Sequence, residues 1–311
     1  MANTTVGDQP NSVGFEYYRY DPSMAAAIIF AILFFSTTMI HLYQFVRTRT
    51  WIMIPLLVGG FFEWIGYIGR AVSASQTPNW TIGAYVVQVM LILVAPALFA
   101  ATVYMELGRI IMLCDAGHHS LIKLTWLTKI FVAGDVLSFV MQALGERGVD
   151  SSISFAFLTV ELGAGITASK TVTAVKNGQH IVTGGLFVQV IFFAFFLTVA
   201  IVFHRRTNKH PTARSNSPDV PWRKHMRILY LVSALILIRS IIRLEEYAEG
   251  ITGFVLSHEY FLYIFDSLPM LCVMVLFNFV HPSEVYALLR GGKMSQGLKL
   301  YTVDQPTVAS V

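Results

Sequence analysis

Charge is what this sequence has least of. Only 13% of its 311 residues are charged, against roughly 25% in a soluble globular domain. That is too little to wet the surface of a water-soluble fold. Cysteine is scarce too: Cys114 and Cys272 are the only two, which excludes a disulfide framework and a CxxC metal site. A phosphate-cradling loop is missing. The RGGK at Arg290–Lys293 has no upstream glycine and no following Ser or Thr, so the chain is not expected to power anything by its own ATP hydrolysis. There is no HExxH, no apolar segment pairs histidines at ligand spacing, and no Ser or Cys nucleophile has a His partner at matching depth. No metal, no cofactor and no catalytic residues are therefore expected, and the chain is not read as an enzyme.

What is present is apolar sequence in long runs. Hydrophobic residues make up 55% of the chain and the mean hydropathy is +0.61. A bilayer-spanning helix needs about 20 mainly apolar residues. Seven segments qualify: 24–46, 51–72, 82–113, 124–144, 184–203, 226–247 and 260–280. The third is long enough to tilt or project. Pro55, Pro96 and Pro269 are expected to interrupt the second, third and seventh, as membrane helices tolerate. The fold class expected is all-α, one polytopic seven-helix membrane domain over residues 24–282. Residues 1–23 form a polar tail rather than a signal peptide, and residues 283–311 a second polar tail.

Orientation is read from the basic residues. Fifteen of the 22 Lys and Arg fall on one side of the membrane when the N-terminus is placed outside, five on the other, and Arg239 and Arg243 remain within it. The excess on the inner side predicts an external N-terminus and a cytoplasmic C-terminus. The sequons at Asn3 (NTT) and Asn79 (NWT) fall on outer segments and are glycosylation candidates. Seven basic residues cluster between Arg205 and Arg227. With no aromatic-interleaved basic domain around them they do not suggest nucleic acid; the 204–227 stretch reads as a cytoplasmic loop and a place for a cytoplasmic partner. Cys114, at a membrane edge, is a minor candidate for acylation.

Polar residues inside the spans carry the functional reading. Glu63 and Arg70 share one face of the second segment, and Asp135 and Gln142 repeat that spacing on the fourth. Gln88 and Gln189 lie toward the outer ends of the third and fifth. Arg239, Arg243 and Glu246 follow one another on the sixth at spacings of four and three, and Asp266 is in the outer half of the seventh. Glu63 and Asp135 lie roughly 15–18 Å from the inner edge at the helical rise. An uncompensated charge at the bilayer centre costs at least ~2.5–3.5 kcal/mol, so these groups must face one another or a water-filled interior. They are expected either to fix helix packing as ion pairs or to line a pocket opening outward. Such a pocket, with Tyr67, Tyr104, Tyr247 and Tyr263 as candidate walls, suits a membrane lipid or other amphiphile with a charged head. Arg243 has Glu246 on its own helix, whereas Arg239 needs an acid from elsewhere, with Glu63, Asp135 and Asp266 the candidates.

Several stretches in order carry a resemblance: YDPS (Tyr20–Ser23), EWIGYIGR (Glu63–Arg70), QVMLILVAPALFAATVYMELGRII (Gln88–Ile111), FVAGDVLSFVMQALG (Phe131–Gly145), GGLFVQVIFFAFF (Gly184–Phe196), LIRSIIRLEEYAEG (Leu237–Gly250) and HPSE (His281–Glu284). The chain resembles the fungal lipid-translocating exporter family, seven-helix proteins with aminocholesterol-resistance and sphingoid-base-export members. The resemblance implies a multi-pass protein of the plasma membrane or an endomembrane, tied to lipid asymmetry, efflux or resistance to amphiphilic toxins. It supplies no catalytic residues. One departure is the 146–163 stretch, whose removal joins QALG to AGITAS; it reads as a retained intron or as a genuine outer loop. Export of an amphiphile is the leading functional expectation. A seven-helix receptor for such a ligand is the alternative, and a membrane-embedded lipid-modifying enzyme ranks third. No internal repeat divides the seven segments into inverted halves.

Overall fold

The computed structural model describes residues 20–77, 81–149, 172–249 and 258–303. The sequons at Asn3 and Asn79 and residues 150–163 of the 146–163 stretch lie outside them. Among the described residues seven long helices run back and forth: α1 (Met24–Thr48), α2 (Ile54–Ser75), α3 (Ile82–Leu113), α4 (Leu124–Val149), α5 (Val172–Lys209), α6 (Trp222–Glu249) and a composite α7. The last starts as a helical turn at Glu259–Phe261, passes through a π-helical stretch at Leu262–Ser267 and ends as the α-helix Leu268–Phe279. Six of the seven are long and apolar enough to cross a membrane; α6 matches them in length but carries Arg239, Arg243 and two adjacent glutamates.

Each helix packs against the next in the chain, and α7 returns to α1 and α6, so the seven close into a ring. The ring is filled by α3, whose Phe99, Val103, Tyr104, Leu107 and Ile110 are fully buried and which touches α2, α4 and α6. Burial is inverted relative to a soluble fold. Large apolar side chains such as Ile32 and Phe35 on α1, Phe187 and Ile191 on α5, and Ile238 and Ile241 on α6 are exposed. Glu63, Arg70, Asp135, Arg239 and Asp266 are buried. A lipid-facing apolar exterior around polar contacts is the arrangement a bilayer requires.

Close approach of α2 to its neighbours depends on glycine. A β-carbon at Gly66 would sit 2.7 Å from Ile92 Cγ1 of α3, and one at Gly60 would sit 2.6 Å from Thr38 Oγ1 of α1. Small residues at such points let membrane helices gain packing contacts where no hydrophobic drive exists between them.

The prolines behave differently from the expectation that all three interrupt helices. Pro55 falls in the first turn of α2, where its missing N–H would have had no intrahelical partner. Only Pro96 lies inside a continuous helix. Pro269 opens the α-helical half of α7, directly after the π-helical stretch.

For description, the N-terminal face is where α1, α3, α5 and α7 begin, and the C-terminal face is its opposite. Beyond α7 the chain folds again: α8 (Ser283–Arg290) is followed by β1 (Gly292–Gln296) and β2 (Lys299–Val303). The strands pair antiparallel, with Gln296 opposite Lys299, and Gly297 at φ 59° makes the left-handed turn between them. Residues expected as a polar tail thus form, over 283–303, a cap across the C-terminal face. Gln44 Nε2 of α1 donates to Gly297 O at 2.9 Å and to Asn278 O at 3.0 Å, and Ser295 N donates to Ser283 Oγ at 2.8 Å.

Candidate functional site

On α2 the residues Glu63, Tyr67 and Arg70 fall at i, i+4 and i+7, one stripe of a helix; all three are buried in the bundle. At the end of this stripe nearest the N-terminal face, Arg70 Nη2 donates to Glu259 Oε1 at 2.7 Å and to Tyr20 Oη at 3.0 Å, and its Nε donates to Tyr263 Oη at 3.1 Å. Tyr263 Oη in turn donates to Glu259 at 3.2 Å. The Glu259 carboxylate also accepts from Ser23 N, with both oxygens at 2.9 Å, so one acid ties the starts of α1 and α7 to the end of α2. Arg70 is therefore paired with Glu259. Tyr20 and Tyr263 stand 5.7 and 5.5 Å from its guanidinium carbon, within cation–π range.

Deeper lies a second network. Arg239 Nε and Arg243 Nη2, one turn apart on α6, donate to the two carboxylate oxygens of Asp266. Arg239 Nη2 also donates to Ile92 O of α3 at 3.2 Å, and Arg243 Nη1 reaches Glu246 Oε2 at 3.1 Å. The acid that Arg239 needed is thus Asp266, supplied by the π-helical part of α7. Ser267 Oγ bonds both the Leu262 carbonyl, five residues back, and the Tyr67 hydroxyl, and so joins the widened turn to α2. A cavity of about 30 Å³ lies among Tyr20, Arg239, Arg243, Glu246, His258 and Asp266. That leaves room for little beyond water among the charges.

Glu63 differs from the other described acids in this half. Its side chain is 1% exposed, and among the described residues neither carboxylate oxygen has a hydrogen-bond partner. Beside it, Phe30, Phe34, Tyr67 and Tyr263 stack, with Phe30 and Tyr263 ring centres 5.2 Å apart. On the outer surface of α1 and α2, a groove of about 400 Å³ is lined by Ile28, Ile32, Phe35, Trp64, Ile68 and Val72. Its volume falls in the range of small-molecule sites, roughly 300–1,000 Å³, and its lining is apolar.

The remaining expected site residues stand apart. Asp135 Oδ2 accepts from Tyr104 Oη at 3.0 Å, and its Oδ1 has no partner among the described residues. Gln142 Nε2 donates to Ser138 Oγ at 2.8 Å, and Ser138 donates to Gly185 O at 2.6 Å, which fixes α4 on α5. Gln88 is buried on α3, and Gln189 is half-buried on α5. Of the four tyrosines named as candidate walls, Tyr67 and Tyr263 belong to the network and Tyr104 serves Asp135.

A cluster at the C-terminal face was missed in the sequence. His225 is fully buried at the start of α6, with Nδ1 3.2 Å from Glu106 Oε1 and Nε2 3.1 Å from Glu284 Oε2. Donation from both ring nitrogens requires the imidazolium form. Lys224 Nζ donates to Glu284 Oε2 at 2.6 Å and Gln296 Nε2 to its Oε1 at 3.3 Å, so the cluster holds α8 and the hairpin onto α3 and α6. Its signals were an acid inside an apolar span (MELGR) and the acid of HPSE. Among the described residues no group of His, Cys, Asp and Glu is arranged to hold a metal ion. Cys114 is buried, and burial pushes its thiol up to about 12, so it offers neither access nor thiolate for acylation.

The model of the RTA1-like protein family matches residues 56–288. Protoporphyrin uptake protein 1 of Saccharomyces cerevisiae is 35% identical over 300 residues, covering 85% of this chain and 91% of that protein. The probable lipid transporter atnI of Emericella nidulans is 29% identical, over 86% of this chain and 68% of its own length. The sphingoid long-chain base transporter RSB1 of Saccharomyces cerevisiae is 24% identical over 85% and 73%. No solved structure matches.

Proposed function

The chain belongs to the RTA1-like family of multi-pass membrane proteins, and from that premise we propose that it translocates or exports amphiphilic, lipid-like molecules, or confers resistance to them by doing so. The relatives whose printed names describe lipid, sphingoid-base and protoporphyrin movement support a transport role over an enzymatic one. The observation that carries the proposal is Glu63: a buried acid without a partner among the described residues, on the helix that also lines the apolar groove. Glu63 takes the head of the amphiphile, and the groove between α1 and α2 takes its tail. Asp266, held by two guanidiniums, serves as the counter-ion of the arginines and not as a ligand acid. Asp135 is a second way-station for the head. Arg70, Arg239, Arg243, Glu246, Gln88, Gln142 and Gln189 shape and support the path.

The N-terminal face is the outer one, because the basic residues concentrate at the other, and the plasma membrane is the setting. The exposed Arg205, Arg206, Lys209, Arg223 and Arg227 give the cytoplasmic side a surface for an acidic partner or anionic lipid heads. A receptor for the same amphiphile is the alternative reading. Purified protein in liposomes with a labelled long-chain base separates the two. Movement of label in the wild type that is lost in Glu63→Gln supports translocation, whereas binding without movement supports the receptor.

A further inference from the structure

The charges around Glu63 cancel without it. Those that act on it are Asp266, Arg239 and Arg243. Asp266 gives each of its oxygens to one of the two arginines, and Arg243 takes Glu246 as well, so two cations face two anions. Arg70 is taken by Glu259. On its own helix Glu63 has Tyr67, whose hydroxyl is bonded to Ser267. Of the helices packed against α2, α1 brings His41, Tyr43 and Arg47, and α3 brings Tyr85, Tyr104, Glu106 and Arg109. His41 is bonded to Met274 O at 2.9 Å, Tyr104 to Asp135 and Glu106 to His225. Among the described residues Glu63 and Asp135 are the two buried acids of this region with no cation beside them; Asp135 is held by the Tyr104 hydroxyl, and Glu63 has no hydrogen bond at all.

A buried acid of this kind has two ways to avoid an uncompensated charge in the membrane. It can hold a proton, or it can hold a cation brought by a ligand. The two are mutually exclusive, because the same oxygens serve both. We propose that the chain exchanges one proton for one cationic amphiphile at Glu63, a step that rests on the translocation reading above. In the step, the Glu63 carboxylic acid gives up its proton to water and its carboxylate receives the ammonium head. On the other side the head leaves and a proton returns. One positive charge moves each way, so the cycle is electroneutral. The proton gradient, not ATP and not the membrane potential, supplies the driving force. The substrate class is a single-chain cation; an anionic amphiphile would face an acid with nothing to exchange.

The test uses the full chain in liposomes and a tail-labelled N,N,N-trimethyl sphingoid base, whose permanent charge keeps it from crossing as the neutral amine. In the wild type, the accumulation ratio of the probe rises up to about tenfold for each unit of pH difference. It is unchanged by a potassium diffusion potential set with valinomycin and lost when nigericin dissipates the pH difference. In detergent, one proton is released for each probe bound. Glu63→Gln, checked for helical content and elution volume, releases none and shows no coupling, and Glu63→Asp retains both with a displaced pH profile. Movement of probe that follows voltage and ignores pH overturns the exchange while leaving translocation standing, and so does wild-type binding without proton release. Coupling that survives in Glu63→Gln overturns the assignment to this residue. No movement in the wild type overturns translocation, and the exchange falls with it.

Discussion

Arg239 and Asp266 form an ion pair between α6 and the π-helical stretch of α7, and both are nearly removed from water, with side-chain exposures of 4% and 6%. Asp266 also compensates Arg243, so the three residues do not contribute equally. Asp266→Asn leaves Arg239 without a counter-ion and Arg243 with Glu246 alone, and is expected to cost about 3–5 kcal/mol. Arg239→Ala leaves Asp266 with Arg243 and costs less. Thermal unfolding of the detergent-solubilised variants reads the order directly; an Asp266→Asn protein as stable as Arg239→Ala would contradict it.

At Asp135 the structural and functional readings part. Its single hydrogen bond is received from Tyr104 at 3.0 Å, and an asparagine oxygen receives the same bond. Asp135→Asn is expected to change stability by less than about 1 kcal/mol while lowering probe movement in liposomes severalfold. Equal movement at equal stability would remove Asp135 from the path.

The C-terminal cap depends on Glu284, which binds Lys224, His225 and Gln296. Glu284→Ala leaves His225 Nε2 buried without its acceptor and Gln296 without its tie to α8, and the cap is expected to detach. Lys224→Ala should matter less, because the Lys224 side chain is 37% exposed and an exposed pair contributes about 0.2–1 kcal/mol. Limited proteolysis between α8 and Val303 provides the readout: rapid cleavage in Glu284→Ala, near wild-type resistance in Lys224→Ala.

Glycine substitutions in α2 and α3 should divide by what they meet. Gly66→Ala pushes a methyl to within 2.7 Å of Ile92 and is expected to cost about 1–3 kcal/mol by overpacking. Gly83→Ala and Gly108→Ala meet nothing within 4 Å and should be neutral or stabilising by roughly 0.5–1 kcal/mol, as alanine is in a helix. Melting temperatures of the three variants test the division.

The helix count was legible because a long apolar run has few other places to be. The Arg243–Glu246 pair was legible too, since three residues along a helix is a local distance. The choice of Asp266 for Arg239 was not, because it depends on how α6 turns toward α7. Glu259 was passed over for Arg70 because it falls at the very end of a span and reads as a solvated residue. Glu106, His225 and Glu284 come from three separated stretches. Each alone reads as a membrane-edge polar group, and only packing reveals that they meet. The ten residues expected either as packing ion pairs or as one outward pocket divide among a charge network, a Glu63 without a described partner, an Asp135–Tyr104 pair and separate amide contacts for the same reason: periodicity assigns a face, not the neighbour that face will meet.

The π-helical turn at Leu262–Ser267 has a consequence for any alignment drawn through α7. Such a turn carries one residue more than the α-helix it interrupts. Glu259 and Tyr263, which serve Arg70, are therefore out of phase with Met270 and Met274 in the buried core by about 100° of helical rotation relative to an uninterrupted helix. Deleting a single residue there would restore an even helix and swing the Arg70 partners away from α2, although no named contact residue had been changed. In comparisons among relatives, a one-position gap in this stretch is a change of helical phase and not a harmless length difference.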